Sequence, residues 1–292
     1  MNAAALLPSP HRVTAPAPAM PVAAPLNYLQ ANGSRPFSYA CPPPEGTPWE
    51  SHAYTPTWMP INDARLAQGQ TSIHREGFEL WDAPTAVQDF QDDAQIRSLY
   101  YAESAALALT VTGARWAHVF DHLLRRREPN RDAVSFGCQG SDGRAAVNGR
   151  IHNDYTEASG RGRLARVLGE DAATQVKRFA IVNIWRATNG PVRDTPLAVC
   201  DARTVAAQDL VDSDVRYPRR VGEIYHAVHA PQHRWSYFSL MAPHEALVFK
   251  QYDSQPQGVA RFVLHTAFDL PRIPADAPLR ESIELRCLVV FE

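Results

Sequence analysis

The sequence predicts a mostly β protein with flanking helices, its strands closing into an antiparallel sandwich or barrel. Three observations carry this expectation. A proline-rich start gives way to one stretch with helical spacing. Beyond it runs a series of short β-like segments separated by turn residues. No internal repeat suggests a solenoid.

The first sixty residues hold 13 of the 24 prolines, in runs such as PAPAMPVAAP and CPPPEGTP. Proline fixes φ and removes a backbone donor, so neither a helix nor a central strand is expected there. Residues 1–26 read as a disordered tail, and residues 27–292 as a single domain. Within it, residues 27–92 read as an extended arm and edge strands, because Tyr28, Phe37, Tyr39, Trp49, Tyr54 and Trp58 give the arm something to bury. The spacing of Ile96, Leu99, Tyr100 and Glu103 predicts a helix over 93–112, with Gly113 suited to its C-terminal cap. Residues 115–292 read as the barrel. RWAHVFDHLLR opens it, and a charged helix is expected around GRLARVLGEDAA. The further strands are RFAIVNIW, PLAVCDA, EIYHAV, RWSYFSLM, EALVFKQYD, ARFVLHTAF and SIELRCLVVF.

Composition removes several function classes. Hydrophobic residues at 45% and charged residues at 21% are the mix of a globular protein with a core able to exclude water. A formal net charge of −2 gives no basic footprint for nucleic acid. No apolar run approaches the roughly 18 residues of a membrane span, and no secretory signal opens the chain. Cys41, Cys138, Cys200 and Cys287 are scattered without a CxxC pair, which fits a reducing cytoplasm. The expected partner is a small-molecule substrate rather than nucleic acid or membrane. A homodimer is left open.

The stretch IHNDYTEASG carries the first chemical signal. Residues i and i+2 of a strand share a face, so His152 and Asp154 would present an imidazole and a carboxylate side by side. Two such ligands fill one side of a metal ion. A second histidine from another strand would complete a 2-His-1-carboxylate triad, which leaves positions open for substrate and oxygen. His226, His229, His233, His244 and His265 are candidates. His265, in RFVLHTAFD, ends the penultimate strand, and fifteen residues later Arg280 and Ser282 form an R-x-S pair opening the last. An arginine fork binds a carboxylate bidentately, which is what the far end of 2-oxoglutarate needs once its other end chelates iron.

At these residues the sequence resembles the CmcJ/NvfI-type non-heme iron oxidoreductases, which include gibberellin desaturase-like and AsaB-type hydroxylase/desaturases. The resemblance rests on YYAE, TGA and VFDH, then on HNDYT, NIWR, GPVRDTPLAVCDAR and GEIY. It continues through HRW, EALVFKQYDS, HTAFD and RESIELR, and runs from about Ala53 to the C-terminus. It implies a double-stranded β-helix (jelly-roll, cupin-like) barrel that uses Fe(II), 2-oxoglutarate and O2. His233 in HRW and His265 both look like family positions. The distal ligand of this fold lies on the strand before the arginine strand, which favours His265.

Other residues have plainer readings. His118 and His122 are expected to be packed and hydrogen-bonded, and His226 and His229 to face solvent. Asn183 and Trp185 share a face that could point into the barrel. Arg186 is either a surface residue or a second carboxylate contact, and it is counted with Asn183 among the co-substrate candidates. Arg286 is assigned to a structural pair with Glu284. A Cys138–His152 nucleophilic pair finds no supporting nucleophile-elbow pattern. With the ligand and arginine pattern, the resemblance implies a dioxygenase that oxidises an unactivated C–H bond of a small natural-product intermediate by hydroxylation, desaturation or cyclisation. The alternatives are a non-catalytic cupin-like binding protein and a non-heme iron oxygenase independent of 2-oxoglutarate.

Overall fold

A computed structural model describes residues 9–12, 21–66, 71–128 and 145–292. Its strands are, in chain order, β1 (His11–Arg12), β2 (Val22–Gln30), β3 (Phe37–Tyr39), β4 (Ala53–Asp63), β5 (Phe78–Asp82), β6 (Trp116–Arg126), β7 (Ala145–Ala146) and β8 (His152–Asn153). They continue as β9 (Phe179–Ala187), β10 (Leu197–Cys200), β11 (Leu210–Tyr217), β12 (Arg220–Ala227), β13 (Trp235–Tyr237), β14 (Glu245–Asp253), β15 (His265–Ala267) and β16 (Glu281–Val290). Two sheets result. One has the order β1-β5-β14-β9-β16-β6-β7, the other β2-β4-β13-β10-β15-β8-β12-β11-β3. This is the expected jelly-roll barrel.

The centre of the seven-stranded sheet is buried on both faces, and β9 and β14 show no exposed position, although only β9 reads as a nearly continuous apolar run. On β9, Ala180, Val182 and Ile184 pack against the long helix, joined by Ile283, Leu285, Cys287 and Val289 of β16. Trp185 and Ala187 point the other way, into a core shared with Phe249 and Leu247 of β14 and with Val199 of the facing sheet. The parity of β16 therefore aims Ser282, Glu284 and Arg286 into the barrel interior.

The long helix matches its predicted span. Asp93–Gln95 and Tyr101–Thr112 are α-helical around a π turn at Ile96–Tyr100, and Gly113 caps the end at φ 69°. The π turn changes which residues face inward. Ile96, Tyr100 and Ser104 are buried four apart, whereas Leu99, expected on the apolar face, is 39% exposed.

Three expectations need correction. β2 begins at Val22, so its first residues fall inside the stretch expected to be a disordered tail. Ala24 and Leu26 are core residues at 1% exposure. Pro25 is tolerated because β2 is an edge strand with β4 as its ladder neighbour, so a missing donor leaves no partner unsatisfied. β11 was not anticipated. Its LVDSDVRY sequence puts charges on an outer strand, where they meet solvent and Arg35. His118 is exposed and stacked on Trp116 rather than packed inside, although His122 does bond the Tyr101 hydroxyl at 2.8 Å. Cys138 lies outside the described residues. Cys200 and Cys287 are core residues.

Candidate metal centre and co-substrate cleft

β8 supplies His152, and its partner β15 places His265 directly opposite in register, with the two rings 4.2 Å apart. The chain bends after Asn153 and brings Asp154 to the same point. Ligand atoms of His152, Asp154 and His265 all lie within 4.8 Å of one another. The tautomers follow from the neighbours. His152 Nδ1 donates to the Arg150 carbonyl at 2.9 Å and His265 Nδ1 to the Val263 carbonyl at 3.3 Å, so both Nε2 atoms remain acceptors. Burial pushes His265 down to about 3 and keeps its ring neutral.

Asp154 is held along one edge. Its Oδ2 accepts from Asn183 Nδ2 and Arg286 Nε, both at 2.9 Å, while Oδ1 turns toward His152 Nε2 at 3.4 Å. Its backbone N–H donates to Gln251 Oε1 at 2.7 Å. Burial alone would push this carboxyl up. Arg286 beside it holds it well below the usual carboxylate range. Two imidazoles that present Nε2 and a carboxylate with one free oxygen make a donor set that fits a ferrous ion.

Arg280 lies at the far end of the same interior face, 2% exposed, with its guanidinium 5.4 Å over the Trp185 ring. Its Nη1 donates to the Thr195 carbonyl at 2.9 Å, and its backbone N–H to Asp194. Burial pushes its pKa down to about 10, opposed by Asp194. Arg280 Nε, Ser282 Oγ and Asn183 Oδ1 are buried without a hydrogen-bond partner among the described residues. An arginine Nε and a hydroxyl left unsatisfied together fit a missing carboxylate, because orphaned buried donors are costly.

Several residues stand elsewhere than the sequence suggested. Arg186 faces the long helix, away from Asn183. It bonds the Tyr100 hydroxyl and the Pro243 and Ala83 carbonyls, so it makes no co-substrate contact. Alternation on β9 dictates this, since 183 and 186 differ in parity. His233 is tied to the Tyr28 hydroxyl at 2.9 Å and to Asp209 at 3.2 Å, outside the triad. His226, expected in solvent, is 1% exposed and bonds the Ile151 carbonyl, being paired with β8. Arg286 touches Glu284 only at 3.5 Å. Its principal contact is Asp154, with Asp121 at 3.1 Å. Gln251 was not singled out from sequence. It is the extra residue of a bulge between Lys250 and Tyr252 on β14, and no sequence signal marks that bulge.

A jelly roll with such a triad and a buried arginine at the entry to its last strand defines a non-heme iron oxygenase. The family described as Oxidoreductase/YMDC permease-like domain matches residues 26–290, and the chain belongs to it. Among curated relatives, the hydroxylase/desaturase efuI of Hormonema carpetanum is 34% identical over 250 residues, covering 80% of this chain and 83% of that one. The Fe(II)/2-oxoglutarate-dependent dioxygenase nvfI of Aspergillus novofumigatus is 31% identical over 259 residues, covering 86% and 89%. A solved structure of the iron and alpha-ketoglutarate-dependent endoperoxidase NvfI superposes with a TM-score of 0.79 at 28% identity, covering 93% of this chain and 98% of that one. Although the family is called permease-like, no helix among the described residues is long and apolar enough to cross a membrane.

Proposed function

We propose that His152, Asp154 and His265 hold Fe(II), and that Arg280 with Ser282 holds the far carboxylate of 2-oxoglutarate. The protein is an Fe(II)/2-oxoglutarate-dependent dioxygenase acting on a small molecule, as its relatives are. The observation that carries the residue roles is the pairing of an assembled triad with an unsatisfied arginine and hydroxyl on the same interior face. When bound, iron and 2-oxoglutarate supply oxygen activation for attack on a C–H bond. The chain's own part is to orient. Arg150 and Val263 fix the two imidazole tautomers. Asn183 and Arg286 pin one carboxylate oxygen and leave the other for the metal. Trp185 supports the Arg280 fork, and the core around Phe249 and Leu247 keeps water from the cleft.

Anaerobic titration of the Fe(II) protein with 2-oxoglutarate, followed by its visible charge-transfer band, tests this reading. Arg280→Ala should weaken 2-oxoglutarate binding by about 2–5 kcal/mol, the range for removing one partner of a buried charge pair. Arg286→Ala should leave that affinity within a few-fold. A steep loss in Arg286→Ala with none in Arg280→Ala overturns the assignment. Iron retained in His265→Ala but lost in His233→Ala overturns the triad. A binding protein without catalysis would release no succinate on oxygen exposure.

A further inference from the structure

His152 and Asp154 open onto a cavity of about 320 Å³ between the helix Glu157–Leu168 and the β11–β12 hairpin. Five arginines line it, namely Arg125, Arg163, Arg166, Arg220 and Arg286, against Asp121, Asp154 and Glu223. The acids are already engaged. Arg286 pairs with Asp154 and Asp121, and Glu223 pairs with Arg35 and accepts from the Thr156 hydroxyl. Arg125 is bound to the Ala146 carbonyl at 2.7 Å. Arg163, Arg166 and Arg220 form no ion pair among the described residues. Arg163 leans over the Phe120 ring at 4.6 Å with its Nε buried and unpartnered. Arg220 lies over Tyr217 at 3.8 Å. Aromatic faces hold these planar cations in place; Arg163 also bonds the Tyr155 hydroxyl, which leaves its Nε as the open donor.

We propose that this cavity selects a small organic acid, whose carboxylate is held by Arg163, Arg166 and Arg220 while its body lies toward His152 and Asp154. Three uncompensated guanidinium groups around one mouth favour an anion over a neutral molecule of equal shape. The inference rests on the reading of the triad as the metal site, and it places the substrate anion apart from the Arg280 cleft, which takes the co-substrate.

The test uses the full chain loaded with Mn(II) in place of Fe(II) and saturated with 2-oxoglutarate. 4-Fluorobenzoate and 4-fluorobenzamide serve as a matched charged and neutral pair. The paramagnetic metal broadens the fluorine signal of whatever sits nearby. Broadening of the benzoate signal well beyond that of the benzamide, suppressed by added salt, is the expected result. Replacing Arg163, Arg166 and Arg220 together with Gln should weaken the benzoate effect roughly tenfold, the scale for losing several partly exposed charge contacts. Affinity for 2-oxoglutarate should hold in that variant. Equal broadening of acid and amide, no broadening of either, or an undiminished effect in the triple variant overturns the proposal, and the first two outcomes need no variant. Failure of Mn(II) and 2-oxoglutarate to bind together would instead sink the underlying reading of the triad.

Discussion

Asp154 shows how much of a metal site is built from residues that never touch the metal. A carboxylate with both oxygens loose could rotate or bind an ion in two modes. Here Asn183 and Arg286 occupy Oδ2, so only Oδ1 is presented beside His152. Asn183→Ala removes one of these two holds without disturbing the ligands. It should weaken Mn(II) binding by about 10–100-fold, the usual cost of losing an outer-shell partner. Titration followed by electron paramagnetic resonance reads this directly, and an unchanged affinity would mean Arg286 alone orients the carboxylate. These supports also mark the limit of what the sequence discloses. His152 and Asp154 are legible because strand alternation puts neighbours i and i+2 together, and Asn183 was placed facing inward by the same rule. Arg186 failed on that rule, since its parity is opposite. Arg286 has the same parity as Arg280. A long side chain brings it back to Asp154, and strand spacing alone gave no hint of that contact.

Among the elements, the helix Glu157–Leu168 is the one most tightly tied to the site. It follows Asp154 by two residues, and its capping box joins Thr156 and Ser159. Gly160 lies against the Tyr252 ring, where an added Cβ would sit 2.6 Å from Cδ2. Backbone-to-ring approach of this kind is possible only without a side chain. Gly160→Ala should therefore cost about 1–3 kcal/mol, the range for overpacking a filled core, despite alanine's better helix propensity. Urea unfolding checks it, and a stabilised variant would show that Tyr252 moves aside freely. The Pro-rich arm, the long helix and most strands were readable from periodicity. The π turn, the β14 bulge and β11 were not. Each of the first two adds a residue that local propensity does not mark, and β11 hides its burial behind outward charges.

For the molecule as a whole, the N-terminal boundary matters more than proline content suggested. Deleting residues 1–26 removes Ala24 and Leu26 from the core and strips half of the edge strand that covers Ile61 and Trp235. The deletion should destabilise by at least about 3 kcal/mol, on the scale of burying one large and one small side chain plus the ladder bonds lost. Thermal melting reads it, and an unchanged midpoint would mean the strand contributes nothing. The two sheets also carry different halves of the site. His152 and His265 stand on the nine-stranded sheet, whereas Asn183, Ser282 and Arg286 stand on the seven-stranded one, and Phe249 of the latter touches His265 at 4.9 Å. The sheets act as the jaws of a calliper, with Phe249 as the shim that sets the gap. Thinning the shim with Phe249→Leu should leave metal and 2-oxoglutarate affinities within a few-fold, because it keeps the three ligands, the Asn183 and Arg286 holds on Asp154, and the Arg280–Ser282 pair. Succinate release per bound complex should nevertheless slow, because that rate alone reports whether the two grips are held at the working separation. Equal slowing of binding and release would show instead that the sheets yield independently, and that the gap is no gauge at all.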